Sequence, residues 1–210
     1  MTIKTIIFDF GGVITNSPIE GFKILEEKHG YDKGIITQIN MNNSDNNAWA
    51  KSERGEIEIN EFLSEFEKEA LEIGQKIDAK EILNQLYGSF RENMINLIKL
   101  LSLSKEYKLI CLTNVLKGVD TFTPKERLNA VNQVMSYFDK IYESYKLGMR
   151  KPENRIYKYI LDDLNIKAEE TVFLDDLGMN LKTARQIGIQ TIKVEEEATA
   201  IIELNQILER

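Results

Sequence analysis

The stretch Thr5-Ile6-Ile7-Phe8-Asp9-Phe10-Gly11-Gly12-Val13 decides how the rest of the chain is read. Ile6, Ile7 and Phe8 form an apolar run of the kind found in strands buried on both faces. The run ends on a carboxylate and loses its regularity at Gly11-Gly12. Aspartate beside glycine is ordinary turn chemistry, and Asp9 alone means no more than that. Three other polar groups, however, stand at or just beyond the ends of apolar, strand-like runs: Thr113, Lys151 and the pair Asp175-Asp176. In an open parallel sheet such strand ends share one edge, where ligands bind.

Working outward, the spacing after Glu92 predicts alternation: helix 92–104, strand 107–113, helix 124–135, strand 138–144, helix 153–164, strand 171–175, helix 179–187, strand 190–194 and a final helix from about 196. With a first strand over 3–9, this predicts an α/β fold, a Rossmann-like parallel sheet covered by helices. Residues 17–90 read differently. Ser17-Pro18-Ile19-Glu20 is a helix start, Ser17 capping and Glu20 reaching back, with a stop at Gly30. Thr123-Pro124-Lys125-Glu126 repeats the start signal. A second helix is expected from Asp32, bearing Ile35, Ile36 and Ile39. A polar loop follows over 40–47, then a short helix at Trp49. Further helices carry Phe62, Leu63 and Phe66, and, from Asp78, Ile82, Leu83, Leu86 and Tyr87. The expected organisation is a core of residues 1–16 and 91–210 and a helical insertion, 17–90, lying over the ligand edge as a lid.

At 210 residues with 42% hydrophobic, the chain is long and apolar enough for a real core. Lys and Arg number 27 against 34 Asp and Glu, a formal charge of -7, and no dense basic run argues for nucleic acid as a partner. An acidic surface repels phosphorylated substrates at long range, so a site for them must carry local positive charge. The one cysteine, Cys111, lies in the apolar run Leu109–Leu112 and reads as a buried packing residue. No intrachain disulfide is possible, which fits a reducing compartment. The first ten residues read as a strand, not a membrane span or a signal peptide. The expectation is a soluble, cytoplasmic protein without a membrane partner, as monomer or homodimer. His29 reads as a surface residue, Trp49 as core, and Lys51 and Arg54 as exposed charges.

Asp9-Phe10-Gly11-Gly12-Val13, Leu112-Thr113-Asn114, Lys151-Pro152 and Phe173-Leu174-Asp175-Asp176 together resemble the four ordered motifs of the haloacid dehalogenase (HAD) superfamily. The insertion resembles that superfamily's C1-type helical cap. The segment from Glu143 to Lys182 is similar to the phosphatase domain of soluble epoxide hydrolases and to the HAD domain fused to some acyl-CoA dehydrogenases. The resemblance implies a Mg²⁺-dependent phosphatase acting on a small-molecule phosphate ester, with Asp9 as nucleophile. It implies Mg²⁺ held by Asp9, Asp176 and the carbonyl of Gly11, with Asp175 and Asn180 supporting from behind. Lys151 and Thr113 would hold the phosphoryl group, helped by the backbone amides of Phe10, Gly11 and Asn114. An anion-favouring helix start is expected just after Lys151-Pro152.

The pattern breaks at Gly11, where most phosphatases of this superfamily carry an aspartate that protonates the leaving oxygen. General acid–base catalysis is typically worth ~10²- to 10⁴-fold. The expected consequence is a preference for esters that leave without help: acyl, aryl or anomeric phosphates. Two alternatives stay open at this point, a metal-independent 2-haloacid dehalogenase and a low-activity phosphate- or partner-binding protein.

Overall fold

β1 (Thr5–Phe8) is buried along its whole length between two strands that are nearly as apolar, β2 (Lys108–Thr113) and β4 (Thr171–Asp175). β3 (Lys140–Glu143) extends the sheet beyond β2 and β5 (Gln190–Lys193) beyond β4. All pairings are parallel, in the order β3-β2-β1-β4-β5, so the chain crosses from one side of β1 to the other between β3 and β4. The computed structural model describes residues 2–209. Phe8 stands beside Cys111 on one neighbour and Leu174 on the other. One residue further along that register, Asp9 is level with Asp175, and its N–H continues the ladder to the Leu174 carbonyl at 2.9 Å. Strand register alone thus brings the two acidic positions together at the carboxyl edge.

The two-residue period of the strands sorts their side chains onto two faces. Ile6, Phe8, Leu109, Cys111, Val172 and Leu174 pack under α6 (Glu92–Ser104) and α11 (Glu197–Leu208). Ile7, Ile110, Leu112 and Phe173 face α9 (Asn154–Leu164) and α10 (Gly178–Gln186). Cys111 is fully buried, as its apolar setting suggests. Among the described residues no helix is long and apolar enough to cross a membrane.

Between β1 and α6 lie five helices: α1 (Pro18–His29), α2 (Ile35–Met41), α3 (Ala48–Glu53), α4 (Ile59–Glu72) and α5 (Ala79–Leu83). They bury their own apolar cluster, in which Trp49 packs edge-on to Phe22 and Phe62 with ring centroids 5.9 and 5.6 Å apart. Leu116 and Val119, from the segment after β2, complete that cluster. The entering and leaving linkers of the insertion pair with each other. Thr15 bridges Phe90 in antiparallel fashion, Asn16 N–H donates to the Ser89 carbonyl, and Arg91 N–H donates to the Ile14 carbonyl, both at 2.9 Å.

Several local expectations are corrected. Ser17 does not cap α1; its hydroxyl is drawn to a carboxylate across the sheet edge. Thr123 does not cap α7 (Lys125–Met135) but donates to the Val119 carbonyl at 3.1 Å, closing a 3₁₀ turn over Val119–Phe122. α2 begins at Ile35 rather than at Asp32. The buried Glu26 carboxylate on α1 accepts from the N–H groups of Gly34 and Ile36 at 2.7 and 3.0 Å, serving as the missing cap. The helix then runs to Met41, into the expected 40–47 loop, and Leu86 and Tyr87 fall beyond the end of α5. The expected strand 138–144 is shorter, because Ser144 opens a helical turn, α8 (Ser144–Leu147).

Gly88 sits at the paired linkers, where an added Cβ would lie 2.5 Å from the Asn16 carbonyl oxygen. Backbone cannot step aside as a side chain can. Gly88→Ala is therefore expected to destabilise the protein by about 1–3 kcal/mol, read by urea unfolding; an unchanged midpoint would contradict this account of the linkers.

Candidate active site

Lys151 is the group on which the site turns, since only 1% of it is exposed and its ammonium lies between two carboxylates. Nζ is 2.7 Å from Asp9 Oδ1 and 2.8 Å from Asp175 Oδ2. Burial alone would lower the lysine's pKa, but the charges of Asp175 and Asp9 outweigh it and hold the group protonated above the ordinary lysine value. Asp175, at the end of β4 and fully buried, is saturated: Leu177 N–H donates to Oδ1 at 2.8 Å, and Asn180 Nδ2 lies 3.0 Å from each oxygen. Asn180 is itself anchored through its carbonyl, which accepts from the Tyr157 hydroxyl at 3.0 Å. The helix after Lys151-Pro152 begins only at Asn154, so what Lys151 brings to the cluster is its side chain.

Both protein hydrogen bonds to the Asp9 carboxylate go to Oδ1, from Lys151 and from the Phe10 N–H at 2.7 Å. Among the described residues none reaches Oδ2. Burial pushes the Asp9 carboxyl well above the ordinary carboxylate value; Lys151 pulls it back, and Asp175 and Asp176 add to the push. Asp176 is raised too, by burial and by Asp175. Its Oδ2 accepts from the Ser17 hydroxyl at 2.9 Å. Gly12 lies directly beneath it, where a Cβ would come within 2.1 Å of Asp176 Oδ2, and its φ of 76° favours glycine as well.

Asp9, Asp175 and Asp176 each present an oxygen within 4.8 Å of the others. Three carboxylates facing one ammonium carry surplus negative charge, and the donors are all hard oxygens. A divalent cation such as Mg²⁺ fits both facts. Since the oxygens of Asp175 are taken, the carboxylates left for an ion are those of Asp9 and Asp176.

Thr113 ends β2 beside this group, and its hydroxyl has only a marginal contact, 3.5 Å from the Asn114 carbonyl. The backbone N–H groups of Gly11 and Asn114 meet no protein acceptor among the described residues. The Asn114 side chain holds the chain at Lys151, accepting from its N–H at 2.9 Å and donating to its carbonyl at 3.0 Å. Every position expected from the sequence therefore lies on this one edge.

The other candidates lie elsewhere. His29 pairs with Glu81 and stacks on Tyr31, and Lys51 pairs with Glu65 on α4. Arg54 is not the exposed charge expected; its side chain is 10% exposed and lies between Glu56 and Glu153. Ser17, expected only as a helix cap, and Glu53, not singled out by the sequence, also reach this edge. Ser17 looks like a helix cap, and nothing local links it to a residue 159 positions away.

A family model described as haloacid dehalogenase-like hydrolase matches residues 3–188. The chain belongs to this family of hydrolases. D-ribitol-5-phosphate phosphatase of Bacteroides thetaiotaomicron is 27% identical over 98% of this chain and 98% of that protein. Acyl-CoA dehydrogenase family member 10 of Mus musculus is 31% identical over 98% of this chain. The chain spans 19% of that protein's length and 39% of the bifunctional epoxide hydrolase 2 of Sus scrofa, to which it is 26% identical. Among solved structures, a HAD family enzyme from Bacteroides thetaiotaomicron in a magnesium complex superposes with a TM-score of 0.64 at 25% identity, covering 96% of this chain and 99% of that one. The resemblance read from the four motifs is thereby borne out.

Lys151→Met removes the cation that offsets Asp9, so the variant's Asp9 pKa rises further above its unfolded value. Stability tied to a raised carboxyl pKa is fully present below the unfolded value and lost as pH rises through the folded one. Without added metal, the variant's deficit against wild type is expected to reach about 3–5 kcal/mol near neutrality and to shrink towards acid pH. Urea unfolding at both ends of that range checks the sign, and a deficit that grows on acidification would contradict it.

Proposed function

We propose that the chain is a Mg²⁺-dependent phosphatase of small phosphate monoesters, with Asp9 as the nucleophile. The observation that carries this reading is the buried Lys151 ammonium bonded to both Asp9 and Asp175, next to a third carboxylate. Phosphoryl transfer needs positioning and neutralisation of charge more than covalent machinery. Lys151 holds Asp9 by Oδ1, so Oδ2, without a protein partner among the described residues, would be the attacking oxygen. In the first step Asp9 attacks phosphorus, the P–O bond to the leaving group breaks, and an aspartyl-phosphate forms. Water then attacks phosphorus and releases inorganic phosphate and the Asp9 carboxylate. Thr113 and the N–H groups of Gly11 and Asn114, which have no strong protein acceptor among the described residues, would donate to the phosphoryl oxygens. Asp9, Asp176 and the Gly11 carbonyl would hold Mg²⁺, which would supply positive charge against the phosphoryl group. Asp175 and Asn180 orient Lys151 and do not touch substrate.

Residues 17–90 are assigned as a cap over this edge, which favours a small ester over a macromolecule. The relatives named as phosphatases support the reaction class. The metal-independent dehalogenase reading fits less well, because Asp176 would then stand as surplus charge in a site receiving a carboxylate substrate.

Gly11 has no acid to offer, yet a side chain is sterically possible there. A Cβ would meet only Pro18, at 3.6 Å, an ordinary contact. Phosphate release from monoesters of graded leaving-group pKa is expected to require Mg²⁺, to fall steeply as the leaving group becomes more basic, and to vanish in Asp9→Asn. Gly11→Asp is expected to raise kcat on alkyl phosphates by ~10-fold or more with little change on aryl phosphates. Full activity in Asp9→Asn would overturn the nucleophile, and a flat leaving-group dependence in wild type would mean that another residue supplies the proton.

A further inference from the structure

Besides the Ser17 hydroxyl on Asp176, the insertion reaches the site through a buried carboxylate. Glu53, the last residue of α3, is 6% exposed and meets three donors. Its Oε1 accepts from the Trp49 indole N–H at 3.0 Å, and its Oε2 accepts from Arg150 Nε at 2.5 Å and from Asn114 Nδ2 at 3.1 Å. Trp49 belongs to the insertion's own apolar cluster, whereas Asn114 and Arg150 belong to the sheet side. Asn114 is the residue that grips both backbone groups of Lys151, and Arg150 is the residue before it. A second contact ties Arg150 to the insertion, from its Nη1 to the Ser44 carbonyl at 3.0 Å.

Resting on the phosphatase reading above, we propose that Glu53 is a positioning residue that sets Lys151 for the reaction and makes its placement depend on the seating of the insertion. The chain of contacts is short: Glu53 fixes the Asn114 amide and the Arg150 guanidinium, these two fix the backbone at 150–151, and Lys151 Nζ then reaches Asp9 Oδ1. The chemistry of the partners requires a carboxylate. All three are donors, so a glutamine of nearly the same volume turns its own NH₂ against at least one of them. When the insertion lifts, Glu53 leaves with α3, and Asn114 and Arg150 lose their shared acceptor. The lysine is then fully organised only when the site is covered, which couples exclusion of water to alignment of the nucleophile.

The test compares Glu53→Gln and Glu53→Ala with wild type and with Lys51→Ala, a control on the same helix whose partner is Glu65. In Mg²⁺-dependent hydrolysis of an aryl phosphate, both Glu53 variants are expected to lose about tenfold or more in kcat with KM within about threefold, and Lys51→Ala to match wild type. Independently of turnover, amide hydrogen exchange by NMR reads the grip itself. The Lys151 N–H is expected to exchange about tenfold faster in the Glu53 variants, while the Asp9 N–H, bonded within the sheet, keeps its protection. Unchanged exchange at Lys151 in a folded variant, or unchanged kcat, would overturn the assignment. Should the alanine variant fail to fold, glutamine is the variant read. Should wild type hydrolyse no ester, the phosphatase reading fails on its own, and exchange at Lys151 still decides whether Glu53 positions it.

Discussion

A single ammonium buried among three carboxylates is the constraint on which the rest of the structure depends. Removing charge from water is costly, and mutual attraction offsets the cost only where geometry is good and the remaining lone pairs are satisfied. Lys151 meets that condition against Asp175, whose oxygens are filled by Lys151, Leu177 N–H and Asn180. It meets it only in part against Asp9, where among the described residues one oxygen is left without a protein partner. Asp176, beside them, is held by a hydroxyl and, among the described residues, pairs with no cation. The cluster is thus electrostatically incomplete, and the incompleteness points at the Asp9 and Asp176 carboxylates, where a divalent cation and a phosphoryl group would be received.

The fold delivers this cluster by register. β1 and β4 run parallel in step, so consecutive residues after Phe8 and Leu174 emerge side by side. Their alternation sends Phe8 and Leu174 into one apolar layer and Ile7 and Phe173 into the other, which leaves the strand ends as the first positions free to be polar. Gly12 lets the chain pass directly under Asp176, and the paired linkers at Thr15 and Phe90 launch the helical insertion immediately beyond it.

The sequence showed those parts of this arrangement that are local. Apolar runs marked the strands, and a polar residue at each end marked Asp9, Thr113 and Asp175-Asp176, because burial on both faces leaves little other room for such groups. Lys151 was marked by its place beyond a strand-like run, but its role came only from the resemblance, since a lysine before a proline looks like a solvated charge. Ser17, Glu26 and Glu53 were not visible as what they are. Each stands where a helix cap or a surface carboxylate is ordinary, and each has its partner in another element. Thr123 misled because its hydroxyl turns back to the carbonyl four residues earlier instead of capping forward, and Ser144 because its hydroxyl bonds the backbone of Val115 in another segment.

The central claim is that Asp9 becomes covalently phosphorylated. The measurement that tests it most directly is rapid acid quenching of the Mg²⁺-loaded enzyme during turnover of an aryl phosphate, followed by borohydride reduction and peptide mass spectrometry. Reduction of an aspartyl-phosphate converts that aspartate to homoserine, and the account predicts this conversion at Asp9 alone, dependent on substrate and absent in Lys151→Met. Turnover with no modified residue, or with the modification at another position, would contradict it.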